Sequence, residues 1–214
     1  MSRTLTPSRL ADRTSRDRGV LDELLDEVLF GHIGVSLPEG PLVLPVGFAR
    51  DGDRVLFHGS TGSHRMRALA EGADACFTVT ALDGLKVARS GFETGMEYRS
   101  ACLFGRCEVL DGAARATALD VYVNRYLPGR TAEVRPMKKR ELAATMVLAL
   151  PIDDWSLKAD AGFAEDDPGD LASSAWAGIV PVFTGYGKPI AGPDLREGIP
   201  VPASVAGLPG HRER

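Results

Sequence analysis

Apolar residues first recur at helical spacing. Leu21, Leu24, Leu25, Val28 and Leu29 stand at i, i+3, i+4, i+7 and i+8, with Asp22, Glu23, Asp26 and Glu27 on the opposite face. This predicts a helix from about Gly19, with Asp17 as its cap and Gly31 as its stop. The period then shortens to two. Strands are predicted over 32–37 and 42–50, with Pro38-Glu39-Gly40-Pro41 as the turn between them. Asp51-Gly52 is a two-residue hairpin signal, and 53–58 returns as a strand. A helix is predicted from His64 to Glu71, then a strand over 74–81, a turn at Asp83-Gly84 and a further strand from Leu85. Residues 98–110 read as one long strand interrupted by Gly105.

Asp111 is placed to cap a helix over 112–126 whose apolar face carries Leu119, Tyr122, Val123 and Tyr126. A short helix starts near Pro136 and ends near Thr145, a strand covers 146–152, 163–173 is an acidic loop, and a last strand begins near Trp176. Some seven strands, mostly linked as hairpins, with helices inserted at three places, do not form a doubly wound sheet. They suit a mainly β antiparallel barrel with peripheral helices. The expected organisation is a loosely ordered N-terminal arm over 1–18, one barrel domain over 19–185 and a C-terminal tail over 186–214.

Composition narrows the chemistry. A net charge of −4 and a mean hydropathy of −0.06 give no basic excess for nucleic acid or an acidic membrane surface. No apolar run reaches the length of about 18 residues that spans a bilayer, and the first residues lack the apolar core of a signal peptide. Three cysteines without a C-x-x-C pair predict neither a disulfide framework nor a zinc ribbon, and fit a reduced cytoplasmic setting. The histidines, His32, His58, His64 and His211, have no metal-ligand spacing, and there is no G-x-S-x-G for a serine hydrolase.

Three segments could carry chemistry. His58-Gly59-Ser60-Thr61-Gly62-Ser63-His64-Arg65 is a glycine-containing turn that opens a helix. It collects free backbone N–H groups, hydroxyl donors and a guanidinium fork where an anion could sit. It is not a P-loop, since no lysine follows the glycine. The same residues also read simply as a capped helix after a tight turn. Tyr98-Arg99-Ser100 would present Tyr98 and Ser100 on one strand face and Arg99 on the other. Trp176-Ala177-Gly178 could roof a flat ring, or Trp176 could be a core residue at a strand start.

In order and spacing, Leu56-Phe57-His58-Gly59-Ser60 with Ser63 and Arg65, Val79-Thr80, Leu82-Asp83-Gly84-Leu85, Tyr98-Arg99-Ser100, Leu127-Pro128-Gly129-Arg130 and Trp176-Ala177-Gly178 resemble the pyridoxamine-5′-phosphate-oxidase-like family of flavin-binding split-barrel proteins. The similarity runs from about Arg18 to Pro181. The resemblance implies an FMN-binding split β-barrel acting as a homodimer, with two FMN sites built across the interface. It also implies an FMN-dependent oxidoreductase for a small-molecule substrate. A non-catalytic sensor or store of flavin, haem or deazaflavin is the alternative, and FAD, haem and a deazaflavin stand behind FMN as cofactors. The cofactor-binding residues it implies are Pro45, Val46, Gly47, His58, Gly59, Ser60, Ser63, His64, Arg65, Tyr98, Arg99, Ser100 and Trp176. The last four would approach the flavin from the partner chain. No side chain stands out as an obligatory acid or base. The chain departs from the family where relatives carry a His-His-Ser-Met-Asn run and this sequence has Glu93-Thr94-Gly95-Met96-Glu97. Carboxylates there would disfavour an anionic reduced flavin. With no basic cluster for a substrate phosphate beyond the cofactor loop, vitamin B6 synthesis is not predicted.

Overall fold

In the computed structural model, which describes residues 13–208, the period-two segments become two antiparallel sheets. In chain order the elements are β1 (Thr14–Ser15), α1 (Arg18–Glu27), β2 (Phe30–Leu37), β3 (Gly40–Gly47), β4 (Ala49–Asp51), β5 (Arg54–Ser60), α2 (His64–Ala70), β6 (Asp74–Val87), β7 (Gly95–Arg106), β8 (Glu108–Leu110), α3 (Gly112–Tyr126), α4 (Arg130–Glu133), α5 (Lys139–Ala144), β9 (Thr145–Pro151), β10 (Asp154–Asp160), β11 (Gly178–Pro181) and α6 (Ala203–Ala206). One sheet has the order β1-β10-β7-β6-β2-β3, with β11 added to β6; the other has the order β4-β5-β9-β8. The mainly antiparallel β architecture with peripheral helices agrees with the sequence expectation.

α1 forms as its spacing predicts. Asp17 Oδ1 accepts the Gly19 N–H at 2.8 Å, and Leu21, Leu24 and Leu25 are fully buried. They join the inward residues of both sheets, among them Ile33, Val55, Phe57, Phe77, Leu103 and Leu148, in one core. A second, smaller cluster places Ala118 and Leu119 of α3 on Leu56, Val147 and Ala149. β5 serves both clusters, because alternation sends Val55 and Phe57 one way and Leu56 the other. The Asp51-Gly52 hairpin is present, with Gly52 at φ +60°, a conformation that favours glycine.

Several boundaries differ from those predicted. The strand expected over 42–50 is two strands in different sheets, divided at Phe48, whose side chain drops into the core against Phe77 with ring centroids 5.0 Å apart. Tyr126 holds this corner. Its hydroxyl accepts the Phe48 N–H at 2.7 Å and lies 2.9 Å from the Leu29 and Phe48 carbonyls, to which it can donate. Tyr126→Phe is expected to cost roughly 1–2 kcal/mol by orphaning the Phe48 N–H. Urea unfolding monitored by circular dichroism measures this, and an unchanged midpoint would reject the corner role.

The long strand expected over 98–110 also divides, at Cys107, into β7 and β8. α1 stops at Glu27, not at Gly31. Gly31 lies inside β2, and a Cβ there would meet the Phe77 ring at 2.5 Å. Asp83-Gly84 is no hairpin turn. β6 runs through it with a register shift, as Asp83 is held by Arg99 and Gly84 is closely approached by Glu97 and Ile179. Asp111 takes the cap position of α3 but makes no side-chain capping bond. β10 and α4 lie in segments for which no element was predicted, and β11 begins at Gly178, beyond Trp176. From the predicted tail, Ser204 is buried and donates from both its N–H and its hydroxyl to Glu133. The predicted arm lies outside the described residues through residue 12; after that, Thr14 and Ser15 pair with β10.

Candidate cofactor site at the break between the sheets

β3 is the last strand of its sheet, and Pro41 and Pro45, which carry no N–H, suit such an edge. Across the break, β4 pairs with β5 only as far as Leu56, so Phe57 to Ser60 have a partner on one side alone. Contacts at both ends bring β3 to the β5–α2 segment. At one end Gly47 has no room for a Cβ, which would stand 2.3 Å from the Tyr122 hydroxyl. The Tyr122 ring in turn packs edge-on against His58, with centroids 4.4 Å apart. At the other end a cavity of about 490 Å³ is lined by Leu37, Pro41 and Leu42 of the β2–β3 hairpin and by Ser63, His64 and Arg65. Glu39 and Gly40 complete its lining. The predicted residues Pro45, Val46, Gly47, His58, Gly59, Ser60, Ser63, His64 and Arg65 therefore border one break in the barrel.

Local chemistry shapes this border. A Cβ at Gly59 would stand 2.8 Å from Met66 Cγ, so the missing side chain lets α2 pack directly on β5. Ser60 Oγ accepts the Gly62 N–H at 3.2 Å, and Ser63 Oγ accepts the Met66 N–H at 3.4 Å as the α2 cap. The capping role and the donor role are compatible, since a hydroxyl that accepts still has its own proton to give. His64, Arg65 and Arg67 make no ion pair among the described residues. Arg65 and Arg67 are thus cations without an ion-pair partner among the described residues, and Glu39 is the carboxylate that shares the cavity lining with Arg65. The His58 ring is solvent-accessible along one side, yet the protein around it pulls its pKa below the ordinary histidine value by desolvation. Burial likewise pushes the Tyr122 phenol up, beside Tyr126. Sequence reasoning did not single out Tyr122, because its spacing marked it only as part of an apolar helix face.

The other predicted residues form a separate group. On β7, Tyr98 stands opposite Leu82 and Ser100 opposite Thr80, whose hydroxyl lies 3.0 Å from that of Ser100. Arg99 points to the opposite face. Its guanidinium is engaged by Asp83 at 2.8 Å and Glu27 at 2.9 Å, which raises its pKa further. Trp176 is 64% exposed, in neither a strand nor the core, with its ring lying over Gly178. β11, just after it, pairs with the far end of β6. Within one chain the sheet order separates this group from the break by the width of β2 and β6. The departure from the family pattern is absorbed locally. Glu97 Oε1 accepts the Gly162 N–H at 2.7 Å, and the Glu93 N–H donates to Ser90 Oγ in a turn closed by Thr94.

Among the described residues no group of three or more His, Cys, Asp or Glu is arranged to hold a metal ion, and no helix is long and apolar enough to cross a membrane. His211 lies outside the described residues.

A family model described as pyridoxamine 5′-phosphate oxidase matches residues 17–159. Among solved structures, an FAD- and haem-binding protein of Mycobacterium smegmatis is 48% identical with a TM-score of 0.90, over 92% of this chain and 98% of that one. A flavocytochrome of Azotobacter vinelandii is 32% identical with a TM-score of 0.91, over 98% of both chains. No curated protein sequence matches the chain.

Proposed function

Because the chain belongs to the pyridoxamine 5′-phosphate oxidase family, we propose that it is a flavin-binding redox protein that holds FAD together with haem and exchanges electrons with a small molecule. The observation that carries this reading is the Ser60–Arg65 loop. It sets hydroxyl donors and the Arg65 guanidinium, which has no ion pair among the described residues, beside a cavity lined also by Leu37, Pro41 and Leu42 and by one carboxylate, Glu39. That donor set fits the phosphate of a flavin nucleotide and the methyl-bearing edge of its ring. FMN and FAD share that end. FAD is preferred because two relatives that match over 92% and 98% of this chain are an FAD- and haem-binding protein and a flavocytochrome.

When bound, flavin supplies reversible one- and two-electron transfer, and the protein supplies binding and electrostatics. In this reading Arg65 forms the charged hydrogen bonds to phosphate, with Ser60 and Ser63 donating beside it and the His64 ring able to offer an N–H. The backbone of Pro45–Gly47 runs along the ring edge. His58, held toward its neutral form, keeps a lone pair available for a hydrogen bond or for iron.

A homodimer completes the site. Leu82, Leu85, Met96, Trp176, Val180 and Phe183 are all exposed around the second group, and Phe92 is 91% exposed. Contiguous apolar surface of that kind is rare on a free monomer and marks an interface. A second copy seated there would bring its Tyr98, Ser100 and Trp176 to the first copy's loop. Arg99, engaged by Asp83 and Glu27, acts as a strut for this group and not as a cofactor ligand.

The absorption spectrum of the purified protein tests the reading, followed by chromatography of the nucleotide released on denaturation. Flavin bands, a Soret band and released FAD are expected. Absence of both chromophores, with no thermal shift on adding FAD or FMN, would overturn it. Oxidation of NADH or NADPH with an added electron acceptor separates turnover from storage.

A further inference from the structure

Three thiols are present, and they differ in setting. Cys107 is buried between β7 and β8, and burial pushes its thiol up to about 12. Cys76 and Cys102 are half-buried on neighbouring strands. In the β6–β7 register Cys76 stands opposite Phe104 and Thr78 opposite Cys102. The two cysteines are therefore diagonal neighbours, and alternation puts both on the face turned away from Phe77 and Leu103 of the core. The two thiols lie close enough to interact, and Cys102 Sγ donates to Thr78 Oγ1 at 3.6 Å. Gly34 is the register partner of Cys76 on β2, and Ser156 is that of Cys102 on β10. Neither places a large side chain over the sulfurs; the large neighbour on this face is Phe104, directly opposite Cys76 on β7.

We propose that Cys76 and Cys102 form a reversible dithiol–disulfide pair that is oxidised by hydrogen peroxide. Cys102 is the attacking sulfur. The neighbouring Cys76 thiol pulls the Cys102 thiol down against the opposing effect of burial. Thr78 does not supply this effect, because it accepts from Cys102 and gives its own hydroxyl proton to the Ala101 carbonyl at 2.9 Å. A lowered thiol pKa favours the thiolate, the nucleophilic form.

The thiolate attacks one peroxide oxygen and breaks the O–O bond. The sulfur becomes a sulfenic acid, and the hydroxide that leaves is protonated to water. The Cys76 sulfur then displaces the sulfenic hydroxyl, its proton leaving with that oxygen as a second water. Two thiols and one peroxide become one disulfide and two waters, with two electrons passing from sulfur to oxygen. Diagonal positions lie farther apart than a relaxed disulfide spans, so closure draws β6 and β7 together and yields a readily reduced bond. Two residues along the same face stand Thr80 and Ser100, so oxidation strains the strand pair that presents them. None of this depends on the flavin reading.

The test is peroxide titration of the full-length protein at neutral pH, read by intact mass and peptide mapping. The wild type should lose two titratable thiols and two hydrogens of mass, yield a peptide linked through Cys76 and Cys102, and regain both thiols with dithiothreitol. Cys76→Ser, its fold checked by circular dichroism, should stop at a sulfenic acid on Cys102, one oxygen heavier and trapped by dimedone. Cys102→Ser should leave Cys76 unreacted over the same time. Three results would overturn the proposal: intact thiols in the wild type, over-oxidised Cys102 with no cross-link, or a link only between two chains.

Discussion

Phe77→Ala is expected to lower the free energy of unfolding by about 3–5 kcal/mol, a large part of the stability of an ordinary domain. Phe77 is fully buried near the start of β6, and three features set the cost. Its ring packs edge-to-face on Phe48, the residue at which the chain passes from one sheet to the other. It fills the space that Gly31 leaves open on β2, where any side chain would collide with it. It also lies in the same core as Leu21, Leu24 and Leu25 of α1, so its loss opens a cavity beneath both the helix and the corner. Sheet hydrogen bonds across β2, β6 and β7 resist collapse around that space, and a core site that cannot relax stands at the costly end of the range. Chemical denaturation measures the effect. A loss below about 1 kcal/mol, within the range of ordinary surface substitutions, would show that the two sheets do not share this core.

Arg65→Ala is expected to weaken flavin binding by about 1.5–3 kcal/mol, roughly 10- to 150-fold, the value of a charged hydrogen bond to phosphate. Quenching of flavin fluorescence during titration of the apoprotein reads it. The same variant should unfold almost where the wild type does, since Arg65 has no ion pair among the described residues to lose. Arg65→Lys should recover part of the affinity, because lysine keeps the charge and loses the planar fork. Unchanged affinity in the alanine variant would remove Arg65 from the phosphate site. A parallel loss of affinity and stability would instead make it a structural residue.

Short-range features were legible residue by residue. The start of α1, its Asp17 cap and the Asp51-Gly52 hairpin each depend on neighbours within a few positions, and each is present where the pattern put it; of Ser60 and Ser63, either of which could cap α2, Ser63 does. The loop from His58 to Arg65 was legible for the same reason, because strand, turn, cap and guanidinium are contiguous. The errors fall where a distant segment decides. Phe48 and Cys107 lie inside periodic runs, yet the chain changes sheets at both. Asp83-Gly84 has turn chemistry, but Arg99, sixteen positions later, takes up the Asp83 carboxylate and the strand continues.

The amino-acid sequence by itself determined the antiparallel character of the chain, its amphipathic entry helix and the anion-seeking loop, since periodicity and turn chemistry are local. Only the tertiary structure decided which of the predicted site residues stand together. It joins β3 to the β5–α2 loop through Tyr122 and one cavity, and it sets Tyr98, Ser100 and Trp176 apart across the sheet. It also commits Arg99 to Asp83 and Glu27, and Glu97 to a backbone amide, and it sets Cys76 and Cys102 diagonally on neighbouring strands. The physical reason is that a side chain's charge and shape are written in its own position, whereas the partner that satisfies it is set by strand register and sheet order, which bring together residues far apart along the chain.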